Sequence, residues 1–254
     1  MEETIVITGA SSGIGKACAE VLTAPGKRFI ITARRNERLL ELAAELEKGG
    51  ALVWTHALDV RSREACQKWA AQIPDAFRNV RVLINNAGLA AGLSEIQAGD
   101  FSDWDSMIDT NVKGLLYTTE AILPFLKRTP GAHIVNMGSI AGKEVYANGN
   151  VYCASKHAVD ALTRSMRIDL LPLGIKVSSV SPGMVETEFS LVRFKGDAER
   201  ASAVYQGLEP LKPEDIAEAV KYIVNAPKHV TVADIVLFPA AQASSRDVLR
   251  QPLA

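Results

Sequence analysis

The chain has 254 residues, of which 48% are hydrophobic, and its 28 lysines and arginines nearly balance its 29 aspartates and glutamates. A net charge of −1 excludes the broad basic face that binding to a nucleic-acid backbone requires. No apolar run approaches the roughly 18–20 residues that span a bilayer. The acidic start lacks the basic region of a signal peptide, so we expect a cytoplasmic protein.

The cysteines and histidines do not suggest a metal site. Cys18, Cys66 and Cys153 are far apart and form no CxxC pair, which argues against disulfide bonds and is typical of a reducing compartment. The four histidines are scattered as well: His56, His133, His157 and His229. We therefore predict no metal cofactor.

Short apolar runs alternate with helical patterns along the whole chain. The runs are rich in β-branched residues and show little polar alternation, which is typical of strands covered on both faces. The predicted strands are 4–8, 28–33, 51–60, 80–85, 133–138, 175–180 and 232–238, and the predicted helices are 13–24, 36–48, 61–77, 101–128, 150–171 and 213–225. The alternation predicts a single α/β domain over 1–254 with a doubly wound, parallel seven-stranded sheet, a Rossmann fold. The irregular stretch at about 183–212 is a candidate substrate lid.

A glycine-rich loop, "TGASSGIG", lies between the first predicted strand and the first predicted helix. Gly9, Gly13 and Gly15 would permit a tight turn, close approach of the backbone to a ligand, and close packing of the helix on the strand. The helix start would then offer free N–H groups to a pyrophosphate, with Ser11, Ser12 and Ile14 beside it. The alternative is an ordinary turn, which collects the same residue types. The position of the loop favours the dinucleotide site.

The end of the second strand distinguishes between dinucleotides. An acidic residue there would bind the 2′-hydroxyl of NAD, but this sequence has Arg34, Arg35 and, one helical turn later, Arg38. Guanidinium groups bind phosphate oxygens in a bidentate manner, so the pattern predicts the 2′-phosphate of NADP. The alternative is a solvated basic corner.

Tyr152 and Lys156 are four residues apart in a predicted helix, which places both side chains on one face. Of the five tyrosines, only Tyr152 has a lysine at this spacing. Ser139 ends the fifth strand, so it can converge with the start of this helix above the glycine loop. An exposed helix pair and a turn serine are the alternatives for these residues taken singly.

Together these motifs resemble the short-chain dehydrogenase/reductase family over essentially the whole chain. The matching residues are the glycine loop, "NNAG" (85–88), Asn111, Ser139, the Tyr152–Lys156 pair and "PGMVET" (182–187). The resemblance implies that Tyr152 transfers a proton, that Ser139 holds the substrate oxygen, and that Asn111 binds a water in a relay with Lys156. We expect Lys156, with oxidised nicotinamide, to lower the pKa of Tyr152 toward neutrality. By the same resemblance, further cofactor contacts come from Asp59, Val60, Asn86, Ala87, Gly88, Pro182, Gly183, Val185 and Thr187 as well as Tyr152 and Lys156.

The candidate lid contains Arg193 and Lys195, which would suit a carboxylate on the substrate together with Ser139 and Tyr152. A solvated basic turn is the alternative. The stretch "EFSLVRFKGD" and its neighbours resemble NADP-dependent 3-hydroxy acid dehydrogenases that act on serine, L-allo-threonine and 3-hydroxypropionate. A general carbonyl or 3-oxoacyl thioester reductase, and a non-catalytic NADP(H)-binding regulator, are the alternative functions. The family also implies a homotetramer, for which Ala154, Ala158 and Ala161 would permit close approach of helices.

Overall fold

A parallel β-sheet forms the centre of the computed structural model, which describes residues 3–250. Within that range its seven strands are β1 (Thr4–Thr8), β2 (Arg28–Ala33), β3 (Leu52–Ala57), β4 (Val80–Asn85), β5 (His133–Met137), β6 (Lys176–Pro182) and β7 (Asp234–Leu237). The order across the sheet is β3-β2-β1-β4-β5-β6-β7, so the chain winds outward in both directions from the boundary between β1 and β4. This order confirms the predicted doubly wound fold.

Helices cover both faces of this sheet. They are α1 (Gly13–Val21), α2 (Asn36–Lys48), α3 (Arg63–Ala71), α4 (Phe101–Ile108), α5 (Leu115–Leu126), α6 (Asn150–Asp169), α7 (Phe189–Arg193), α8 (Ala198–Ala203) and α9 (Pro213–Asn225). A π-helical turn, Asp109–Gly114, joins α4 to α5, so the single helix predicted over 101–128 is divided into three parts.

Alternate residues of the central strands enter two separate hydrophobic cores. Ile7 and Phe29 pack with α1, α2 and α9, whereas Val6 and Ile30 pack with Trp69 of α3 on the other face. These five side chains are fully buried. Because burial of one large apolar side chain contributes about 1.5–3 kcal/mol, packing on both faces fixes the edge of the sheet that carries the candidate site.

The segment predicted as a lid contains the short helices α7 and α8 rather than an unstructured loop. Its two ends are held together, because Glu186 N donates to Leu211 O and Leu211 N donates to Met184 O, both at 2.9 Å. Inside the segment the Tyr205 hydroxyl donates to Val185 O at 2.8 Å. The segment is thus a closed flap on a narrow base, and its movement remains a prediction.

None of the helices within residues 3–250 is long and apolar enough to cross a membrane. In the same range, no group of three or more His, Cys, Asp and Glu side chains is arranged to hold a metal ion. Cys18, Cys66 and Cys153 are buried as free thiols.

Candidate active site

A cavity of about 640 Å³ lies above the carboxyl ends of the central strands. It extends from the end of β2 to the start of α6, across the boundary where β1 and β4 diverge, and parallel sheets bind ligands at this boundary. The predicted residues that line it are Gly9, Ser11, Ser12, Gly13, Ile14, Arg34, Arg35, Asp59, Val60, Asn86, Ala87, Gly88, Ser139, Tyr152, Lys156, Pro182, Gly183, Val185, Thr187 and Arg193. Gly15, Arg38, Asn111 and Lys195 do not belong to the lining.

The glycine loop packs tightly against the end of β4. Gly9 has φ of 66°, and a methyl group there would lie 2.9 Å from the Cα atom of Ala87. The side chain of Asn86 fixes the loop, because its Nδ2 donates to Thr8 O at 2.9 Å and to Gly9 O at 3.1 Å. Gly15 supports the loop from behind, since a methyl group there would lie 2.6 Å from Gly9 O. The loop therefore has the close packing that a dinucleotide cradle requires.

The start of α1 and the end of β2 meet at the anion-binding end of the cavity. Ser12 is the N-cap of α1 and makes no side-chain capping bond. Its hydroxyl instead accepts a hydrogen bond from Arg35 Nη2 at 2.6 Å, and Arg35 Nε donates to Ser11 Oγ at 3.3 Å. The helix N-terminus and the arginine thus present backbone N–H groups and a fixed positive charge to the same space, which fits a pyrophosphate and an additional phosphate.

Ser139, Tyr152 and Lys156 are buried together at the other end of the cavity. The hydroxyl groups of Tyr152 and Ser139 are hydrogen-bonded to each other. Ser139 Oγ also accepts from Ala141 N at 3.1 Å, in the 3₁₀ turn that follows β5. Lys156 lies one turn further along α6, and its Nζ donates to Met137 O at 2.9 Å.

Burial changes the acidity of both α6 side chains. It raises the pKa of Tyr152 above its usual value of 10, while the hydrogen bond to Ser139 and the positive charge of Arg193 act in the opposite direction. Burial lowers the pKa of Lys156 to about 8. The structure therefore differs from the expected lowering of the Tyr152 pKa by Lys156: desolvation is the dominant effect, and the nearby cation that favours the phenolate is Arg193.

Asn111 lies behind the cavity, inside the π-helical turn. Its Oδ1 accepts from Leu89 N at 2.8 Å, and its Nδ2 donates to Leu89 O at 2.8 Å and to Ser155 Oγ at 3.0 Å. A methyl group on Gly88 would lie 3.2 Å from Asn111 Oδ1 and 3.7 Å from Lys156 Nζ, so the amide and the ammonium group lie on the same side of that glycine. Both amide hydrogens are used, so Asn111 holds the Leu89 loop in place.

The two basic residues of the lid have different surroundings. Arg193 lines the cavity, with its guanidinium carbon 4.9 Å from the centre of the Tyr152 ring, and its Nη2 donates to the Tyr146 hydroxyl at 2.5 Å. Its Nε is buried and has no hydrogen-bond partner within residues 3–250. Lys195 is exposed outside the cavity, where it pairs with Asp100 at 3.3 Å and Asp103 at 3.0 Å. The structure brings Arg193 to the tyrosine and directs Lys195 away from it.

Sequence reasoning missed two side chains of the site. Tyr146 orients Arg193, and Glu188 accepts hydrogen bonds from Arg35 Nη1 at 2.8 Å and Arg38 Nη1 at 2.6 Å. Tyr146 follows Ser139 in a loop and has no motif of its own, and Glu188 directly follows the quoted "PGMVET". An acidic residue beside a predicted phosphate site was the one available signal.

Comparison with known proteins agrees with this geometry. Residues 3–197 match the model of the short chain dehydrogenase family, and the chain belongs to that family. It is 46% identical to "Sulfoacetaldehyde reductase 2" of Chromohalobacter salexigens, over 96% of this chain and 97% of the relative. It is 43% identical to "NADP-dependent 3-hydroxy acid dehydrogenase YdfG" of Salmonella typhi, over 94% of this chain and 96% of the relative. A solved structure, "The Closed form of serine dehydrogenase complexed with NADP+", superposes with a TM-score of 0.87 at 39% identity, covering 98% of this chain and 100% of that one.

Proposed function

We propose that the protein is an NADP(H)-dependent oxidoreductase that interconverts a short 3-hydroxy acid, or its sulfonate equivalent, and the corresponding oxo acid. The observation that carries this proposal is the buried guanidinium of Arg193, whose Nε has no partner within residues 3–250 and which stands beside Tyr152. A cation placed there would bind an anionic group of the substrate while the reacting carbon lies near the tyrosine. The names of three relatives, which specify 3-hydroxy acid, serine and sulfoacetaldehyde, support the same substrate class.

The cofactor would lie along the cavity, with its pyrophosphate on the glycine loop and its 2′-phosphate at Arg34 and Arg35. Gly13 and Thr187 would enclose it from two sides, because a methyl group on Gly13 would lie 3.4 Å from Thr187 Cβ. When bound, NADP supplies the hydride acceptor, and NADPH the hydride donor, of the reaction. The cofactors in the names of two relatives support the choice of NADP.

Tyr152 would exchange the proton of the substrate oxygen. Its raised pKa keeps the phenol protonated at neutral pH, which suits donation to a carbonyl during reduction. Ser139, already hydrogen-bonded to Tyr152, would hold the same oxygen. Lys156 would support Tyr152 and bind the nicotinamide ribose. Because the side chain of Asn111 is fully engaged with Leu89 and Ser155, the proposed water relay would use the main-chain carbonyl of the π-helical turn.

Carboxylate and sulfonate substrates are compatible with one site. In 3-hydroxypropionate and in 2-hydroxyethanesulfonate, a single methylene group separates the carbinol carbon from the anionic group. Either anion could therefore reach Arg193 while the hydroxyl lies at Tyr152. A general carbonyl reductase would have no use for a buried cation at this position, since an uncharged substrate leaves the charge without a partner.

The test compares acidic and uncharged substrates of the same length. We expect turnover of 3-hydroxypropionate, L-serine or L-allo-threonine with NADP+, or of sulfoacetaldehyde with NADPH. Arg193→Ala should lower kcat/KM for the acid by about 10- to 100-fold, mainly through KM, because a hydrogen bond to a charged group contributes about 1.5–3 kcal/mol. Lys195→Ala is the matched control, and it should leave KM unchanged because Lys195 faces Asp100 and Asp103.

Two results would contradict the proposal in different ways. Turnover of 3-hydroxypropanamide or propanal equal to that of the acids, and unaffected by Arg193→Ala, would point to a general carbonyl reductase. Absence of hydride transfer to any carbonyl, with intact NADPH binding, would point to a non-catalytic binder.

We also propose a cytoplasmic homotetramer, on the family expectation. Ala154 and Ala161 are exposed on α6, so this face is open to another helix. Light scattering of the eluting protein would measure the assembly, and a monomeric mass would exclude it.

A further inference from the structure

The carboxylate of Glu188 crosses the cofactor cavity. Glu188 precedes α7 in the candidate lid, yet its two oxygens accept hydrogen bonds from Arg35 and Arg38 at the far end of the cavity, 153 and 150 residues away in sequence. Each oxygen takes one guanidinium group, at 2.8 Å and 2.6 Å. The two arginines lower the pKa of Glu188, so it is a carboxylate at neutral pH.

The neighbouring contacts place this carboxylate beside the glycine loop. Thr187 packs against Gly13, so the chain just before Glu188 rests on the loop that would hold the pyrophosphate. The remaining donors of Arg35 are directed to Ser11 and Ser12 of that loop. Glu188 therefore holds a guanidinium group at the position where the proposed function requires the 2′-phosphate.

The ion pairs are open to solvent and can be exchanged. The side chains of Arg35, Arg38 and Glu188 are 45%, 43% and 39% exposed. Exposed pairs of this kind contribute only about 0.2–1 kcal/mol each, so a phosphate with up to two negative charges can displace a carboxylate with one. NAD has no group at this position and would leave both pairs intact.

We propose that Glu188 competes with the 2′-phosphate of NADP(H) for Arg35 and Arg38 and thereby limits the preference of the enzyme for NADP(H) over NAD(H). This inference rests on the proposed function, because it requires the cofactor orientation given there. It assigns to a lid residue a part in cofactor selection, and it connects release of the phosphate to the contact between the lid and the end of β2.

The test measures cofactor binding directly in Glu188→Gln, which keeps the shape of the side chain and removes its charge. We expect the Kd for NADPH, from ligand fluorescence, to fall about two- to tenfold, while the Kd for NADH changes less than twofold. Calorimetry should show the same difference between adenosine 2′,5′-bisphosphate and 5′-AMP. Glu120→Gln is the matched control, because Glu120 also makes an exposed pair with an arginine, Arg63 at 2.7 Å, away from the cavity. It should change neither Kd.

Three outcomes are distinguishable. An unchanged Kd for NADPH in Glu188→Gln would overturn the inference. Equal weakening of NADPH and NADH would also overturn it, since the carboxylate would then hold the lid closed over either dinucleotide. If the wild-type protein itself bound NADPH no better than NADH, the proposed cofactor assignment would fail, and the inference with it.

Discussion

Lys156 carries a folding cost that a substitution should reveal. Its ammonium group is buried beside the cavity, and its pKa of about 8, against 10.5 for free lysine, corresponds to a cost of about 3 kcal/mol at neutral pH. Lys156→Met would remove that cost and keep the apolar stem. It would also remove the hydrogen bond to Met137 O, a loss of about 1–2 kcal/mol. We therefore expect the free energy of unfolding to increase by about 1–2 kcal/mol while turnover is lost.

The pH dependence identifies the cause. Between pH 8 and about 10.5 the folded protein binds fewer protons at Lys156 than the unfolded chain does, so the wild type gains stability as pH rises through this range. Urea unfolding without cofactor should give the largest advantage of Lys156→Met below pH 8 and little above pH 10. Lys143→Met is the control with opposite sign, since Lys143 pairs with Asp160 at 2.5 Å and Asp234 at 2.6 Å and should be destabilised. A destabilised Lys156→Met, or an advantage that does not depend on pH, would refute the reasoning.

Two further predictions concern the cofactor end and the π-helical turn. Replacing Arg34 and Arg35 together by alanine should raise the KM for NADPH far more than that for NADH, and equal effects in steady-state kinetics would contradict the NADP assignment. Asn111→Ala should lower the free energy of unfolding by about 2–4 kcal/mol, because it leaves the N–H and C=O groups of Leu89 without their partner. Urea denaturation would test this, and a loss below about 1 kcal/mol would show that water replaces the amide.

Most of the fold was predictable because buried parallel strands have an apolar, β-branched pattern. The prediction was wrong where apolar residues continue past the end of pairing. Residues 51–60 were predicted as one strand, but β3 ends at Ala57, opposite Ala33, the last residue of β2. Leu58 and Val60 remain buried because they line the cavity instead. The π-helical turn was equally invisible, since its cause is a bond from Asn111 to a distant loop.

The candidate site was predictable where a motif carries it and not where contacts are remote. Arg193 and Lys195 are two residues apart and looked equivalent, but α7 ends at Arg193 and Lys195 has φ of 54°, so their side chains diverge. Tyr146 and Glu188 gain their roles from partners 47 and 153 residues away. The acidity of Tyr152 was also beyond the sequence, because spacing shows a nearby lysine but not the depth of burial.

The central claim is that the phenol of Tyr152 carries the proton in a reaction beside bound nicotinamide. Tyr152→Phe keeps the ring, its contact with Phe189 at 5.6 Å and the walls of the cavity, and removes only the hydroxyl. Single-turnover hydride transfer in this variant, measured with NADPH at saturation, should be slower by at least about 10²-fold, with the Kd for NADPH near that of the wild type. A rate within tenfold of the wild type would contradict the account.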